Sequence, residues 1–89
     1  MRNDDILFFT NEYYTLLRII NAEEHVYNKK RYTPLLHEEI ALTMNCSRQT
    51  VGKMIQTLIH KGYLIQLMKG RIQITLKGKK ILKLLECED

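Results

Sequence analysis

The chain has 89 residues, 45% hydrophobic and 27% charged, with a formal net charge of +4. That length allows one small domain and excludes a TIM barrel or a full dinucleotide-binding fold, while the composition excludes a disordered chain. No apolar run approaches the roughly 18–20 residues of a membrane span, and the opening Met1 to Asp5 with only four apolar residues behind it, Ile6 to Phe9, makes a poor secretory signal.

In chain order, Thr10 or Asn11 caps a first helix expected to run to about Tyr27. Tyr13, Leu16, Leu17, Ile20 and Ala22 or Glu24 give it one mostly apolar face. Asn28-Lys29-Lys30-Arg31 ends it, and Tyr32-Thr33 is extended because residues before a proline avoid the helical region. A short second helix follows Pro34 and runs to about Met44, with Leu36, Ile40 and Ala41 inward and Glu38 and Glu39 near its N-terminus. Asn45 tolerates a left-handed backbone and suits a tight reversal. Ser47 then caps a third helix, whose Val51, Met54, Ile55 and Leu58 fall at i, i+3, i+4 and i+7. Gly62 stops it at the position where a glycine satisfies the last carbonyls.

Beyond Gly62 the period changes from 3.6 to 2. Residues 63–68 and 71–76 read as two strands joined by the two-residue turn Lys69-Gly70. In the second strand Ile72, Ile74 and Leu76 alternate with Arg71, Gln73 and Thr75, giving one buried and one wet face. Thr75 caps a last helix holding Ile81, Leu82, Leu84 and Leu85, to about Glu86. Two short helices joined by a three- or four-residue turn, then a β-hairpin, make a winged helix-turn-helix. The expected fold is mainly α with a small β-hairpin (α+β): a three-helix core, a wing and a C-terminal helix. The whole of 1–89 is read as one domain, with the helix-turn-helix at about 36–62, the wing at 63–76 and the last helix at 76–86.

The segment from Leu36 to Leu64, LHEEIALTMNCSRQTVGKMIQTLIHKGYL, resembles the winged helix-turn-helix of MarR-like bacterial transcriptional regulators. So does Ile74-Thr75-Leu76-Lys77-Gly78, which is similar to the leucine-threonine-x-lysine-glycine lead into that family's helix after the wing. The resemblance covers roughly residues 33–80 and implies a DNA-binding regulator, commonly a homodimer. The wing turn here is shorter than the family's arginine-bearing loop. The long terminal helices that build the family's dimer and ligand pocket are missing from the pattern, so a small-molecule effector is not expected.

Charge supports the same reading. From Lys29 to Lys80 there are eleven basic residues and two acids, Glu38 and Glu39, while the other acids lie nearer the two ends. A basic middle of this kind is the footprint of a polyanion-binding face, and a solvated lysine-rich surface is the plainer alternative. The candidate DNA-binding residues are Ser47, Arg48, Gln49, Thr50, Gly52, Lys53 and Gln56 on the third helix, with Lys69 and Arg71 at the hairpin tip. Arg binds guanine O6 and N7 in a bidentate manner, and Gln does the same to adenine N6 and N7. The hydroxyls and the helix N-terminus suit phosphates. Gly52 costs about 1 kcal/mol against Ala inside a helix; either DNA approaches closely there or the second helix packs tightly against it. For Lys69 and Arg71 the plainer alternative is edge-strand protection by charge. Lys29, Lys30, Arg31 and Thr33 could reach phosphates from the other side, with nothing in the sequence to favour it.

The remaining candidates are weaker. His25, His37 and His60 lack metal-site spacing and read as surface histidines, so no metal is expected. Cys46 is expected as a buried core thiol and Cys87 as an inert thiol in an acidic tail; two cysteines make no disulfide framework, consistent with a reduced, cytoplasmic setting. Tyr13, Tyr14, Tyr27 and Tyr32 could stack bases, but at helical spacing they read as core or dimer contacts. No phosphate loop, dinucleotide fingerprint or nucleophile–base pairing occurs, so neither an enzyme nor a cofactor is expected. The expected partners are double-stranded DNA and a second copy of the chain, paired through the first and last helices, with no membrane. The alternatives are a protein-interaction winged helix and a plasmid or phage replication module that binds DNA.

Overall fold

The computed structural model describes residues 12–86; the Thr10 or Asn11 cap, the Ile6 to Phe9 run and Cys87 lie outside them. Helix α1 (Glu12–Ala22) buries Leu16, Leu17 and Ile20 completely, each burial contributing about 1.5–3 kcal/mol. Strands β1 (His25–Tyr27) and β2 (Lys30–Pro34) form an antiparallel hairpin. Helices α2 (His37–Met44) and α3 (Arg48–His60) follow, then strands β3 (Leu64–Met68) and β4 (Arg71–Ile74), then helix α4 (Leu76–Glu86). The strands form one antiparallel sheet in the order β1-β2-β4-β3. This is an α+β winged helix-turn-helix.

The core joins the expected stripe of α3 (Val51, Met54, Ile55 and Leu58) to Ile40 and Ala41 of α2 and to Ile81 and Leu82 of α4. Tyr63, Leu64, Ile72 and Ile74 close it from the sheet. Asn45 adopts the left-handed conformation, φ 57°, and its N–H bonds the Ala41 and Leu42 carbonyls. Gly62 has φ +86° just past the Lys61 C-cap, as a glycine ending a helix should. Thr75 Oγ1 accepts from the Gly78 N–H at 3.1 Å and donates to the Gly62 carbonyl at 2.6 Å. One hydroxyl thereby caps α4 and ties it to the end of α3.

The first helix stops at Ala22, not Tyr27. Glu24 turns inward to Lys79 of α4 at 3.1 Å, and Lys79 also bonds the Asn21 side-chain oxygen at 2.6 Å. Released from the helix, His25 to Tyr27 pair with Lys30 to Tyr32 across the turn Asn28-Lys29, both at positive φ (52° and 64°). That is the signature of a type I′ hairpin turn. The expected extended stretch at Tyr32-Thr33 is thus strand β2, and β1 is the strand added beyond the expectation. Leu36 is 50% exposed rather than inward, because the extended chain continues through Pro34, opposite Arg71, and Leu35 N–H bonds the Gly70 carbonyl at 2.7 Å. Leu76 is 74% exposed: the strand ends at Ile74, and Thr75 starts the helix before a third inward residue is reached. Cys46 is half-buried against the core rather than enclosed by it.

Candidate nucleic-acid interface

Helix α3 exists because its apolar stripe is buried and because Ser47, in extended conformation, accepts the Thr50 N–H on its Oγ at 3.1 Å. The Ser47 and Thr50 hydroxyls also lie 2.9 Å apart. The burial of the stripe fixes the rotation of the helix. It leaves Arg48, Gln49, Thr50, Lys53 and Gln56 exposed.

An open groove runs between α3 and the wing. Gln49, Gly52, Lys53 and Gln56 line it from the helix, and Gln66, Lys69 and Gly70 from the wing. Leu35 and His37 also line it, and among the described residues no acid does. Arg48 stands at the end of the groove, its Nη1 3.3 Å from Oε1 of Glu38 on α2. Both side chains are well exposed, 66% and 74%, so this is a loose pair that a phosphate could displace.

Gly52 has room around it. A Cβ built there meets nothing nearer than His37 Nε2 at 4.0 Å, so tight packing against α2 does not account for this glycine. Gly78 is the opposite case: a Cβ there would lie 2.5 Å from the Tyr63 carbonyl oxygen and 2.7 Å from Ile74 Cγ2.

The groove thus brings Gln49, Gly52, Lys53, Gln56 and Lys69 together, with Arg48, Ser47 and Thr50 at the leading end of α3. Arg71 is placed differently. Ile72 faces the core, so Arg71 faces the other side of the sheet, its guanidinium carbon 4.8 Å from the Tyr32 ring centroid. Residues 29–31 lie at the end of β2 remote from the wing tip, because the antiparallel register sets Pro34, not Lys30, beside Arg71. His37 and Gln66 are groove residues that sequence reading missed. Gln66 carried a signal: it is a polar residue at a core-facing register position, between Leu64 and the wing tip, opposite Ile72.

Lys77 is engaged within the fold, donating to the Lys61 carbonyl at 2.9 Å with its ammonium 4.5 Å from the Tyr63 ring centroid. Among the described residues no three of His, Cys, Asp and Glu converge as metal ligands, and no helix is long and apolar enough to cross a membrane.

No protein-family model and no curated protein matches the chain. Solved structures do. A CRP/FNR-family transcriptional regulator from Thermus thermophilus superposes with a TM-score of 0.58 and 28% identity, over 81% of this chain and 39% of that one. The reduced, Fe(II) form of the CO-sensing protein from R. rubrum superposes with a TM-score of 0.68 and 21% identity, over 93% of this chain and 41% of that one. The chain therefore spans about two-fifths of each neighbour. The structural likeness lies with CRP/FNR-type proteins, and a specifically MarR-like kinship has no counterpart among these two.

Proposed function

We propose that this chain is a double-stranded-DNA-binding unit of a transcriptional regulator and acts without catalysis. Helix α3 enters the major groove, and the Lys69-Gly70 turn meets the adjacent backbone or minor groove. The observation that carries this reading is the groove, free of acids among the described residues, in which Gln49, Lys53 and Gln56 of α3 face Lys69 across an open cleft. The likeness to a CRP/FNR transcriptional regulator supports it. So does the local resemblance of residues 36–64 and 74–78 to MarR-like regulators.

In this reading Arg48 and Gln49 read base edges, Ser47 and Thr50 meet phosphate at the helix start, and Gly52 lets the duplex come close. Lys53 and Gln56 extend the contact along the groove. Lys69 holds the backbone; Arg71, which faces the other side of the sheet, is left out of this contact. A single unit of this size has limited contact area, so two copies bind a two-fold site in a cytoplasmic setting.

Selection from a random duplex library, followed by binding at two salt concentrations, tests the proposal. A recovered motif, weakened at particular base pairs by Arg48→Ala or Gln49→Ala, is the expected result. Salt-independent binding, or none, would point instead to a protein-interaction module.

A further inference from the structure

The sheet has a second face. Thr33, Leu64, Ile72 and Ile74 turn toward the core. On the opposite side the register sets His25 beside Tyr32 and Tyr27 beside Lys30, and alternation puts all four on that face with Arg71. Tyr27 is 67% exposed, and His25, Lys30 and Arg71 are exposed as well. The His25 and Tyr32 ring centroids are 5.8 Å apart at 32°, and Arg71 covers Tyr32 at 4.8 Å. Residues 25–34 and 63–75, which form the strands and their turns, contain no Asp or Glu and carry Lys29, Lys30, Arg31, Lys69 and Arg71.

An apolar sheet face alone would suit many occupants. Here the charge decides at the Tyr27 end of the face: Lys29 and Lys30 there, with Arg71 over Tyr32, select a polyanion, and the exposed Tyr27 ring selects one with free π-faces. His25, at the other end of β1, instead lines a cavity shared with Glu23 and Glu39. The bases of a duplex are stacked on one another and do not present those faces. Unpaired bases do, and they stack on aromatic side chains while cations track the phosphates. We infer that this outer sheet face binds single-stranded nucleic acid, with a base stacked on Tyr27 and phosphates held by Lys30 and Arg71. It lies across the sheet from the α3–wing groove, so the two surfaces are separable by mutation.

The test is fluorescence anisotropy of the full chain with labelled oligothymidylate, oligouridylate, an abasic strand of equal length and charge, and a random duplex. Oligothymidylate or oligouridylate should bind at least fivefold more tightly than the abasic strand, and their order identifies DNA or RNA as the preferred ligand. Tyr27→Ala should weaken single-strand binding by about 5- to 100-fold while leaving duplex binding unchanged. Tyr27→Phe, which keeps the ring, should bind like the parent. Arg48→Ala should leave single-strand binding unchanged. Equal binding of the abasic strand, an unaltered Tyr27→Ala, or a Tyr27→Ala loss shared equally with the duplex would overturn the inference.

Discussion

Gly52 and Gly78 both sit within helices, and their surroundings assign them opposite roles. At Gly52 a methyl group fits, so Gly52→Ala should stabilise the fold by about 1 kcal/mol, raising Tm by about 4–8 °C in calorimetry. The same change should weaken duplex binding, because the added methyl projects into the space the proposal gives to DNA. A variant both more stable and equally tight would show that DNA does not come close there. At Gly78 a methyl group would strike the Tyr63 carbonyl, which itself accepts the Thr75 N–H at 3.1 Å and is not free to move. Gly78→Ala should destabilise by about 1–3 kcal/mol, read as a lower denaturant midpoint.

Elements are joined at two places by side chains whose loss should be measurable. Ser47 caps α3, and Ser47→Ala should cost about 1 kcal/mol whatever it does to binding. The Lys79–Glu24 contact is more consequential. Glu24 is only 15% exposed, and its Oε2 has no protein partner among the described residues. Lys79→Ala would remove the cation from Oε1 as well, and the stranded carboxylate should cost about 1–3 kcal/mol in urea unfolding. This contact also fixes where α1 ends. Helical periodicity alone carried the helix on to Tyr27. The inward turn of Glu24 to Lys79 is a long-range event that no local pattern encodes, and the β1–β2 hairpin, though its partners lie only a few residues apart, cuts the helical period short. The hairpin turn is Asn-Lys rather than Asn-Gly, so its strongest short-range signal was absent too. On the wing, Lys69→Ala should weaken all duplexes alike and reduce the salt slope by about 1.

For the whole molecule, the uneven charge is the dominant feature. If the proposed function holds, duplex affinity should fall steeply with salt, since each phosphate neutralised releases condensed counterions. Sedimentation on a two-fold duplex should show two chains per site. One chain per duplex at saturating protein would remove the dimer from the proposal.

The third helix, its Ser47 cap, the Asn45 reversal, the Gly62 stop and the Thr75 cap were all legible in the sequence, because each rests on interactions within a few residues. Which side chains α3 exposes was legible for the same reason: a buried stripe fixes the rotation of the helix, and rotation fixes its exposed face. Tertiary structure decided the rest. Pairing of β2 with β4, some forty positions apart, built the sheet in which Arg71 turns away from the groove, while the register of each hairpin brought Gln66 into the groove and moved Tyr27 from a helix to an open sheet face beside Tyr32. Pairing partners distant along the chain leave no periodic trace in either segment alone, so only the folded molecule reveals which surface each one joins.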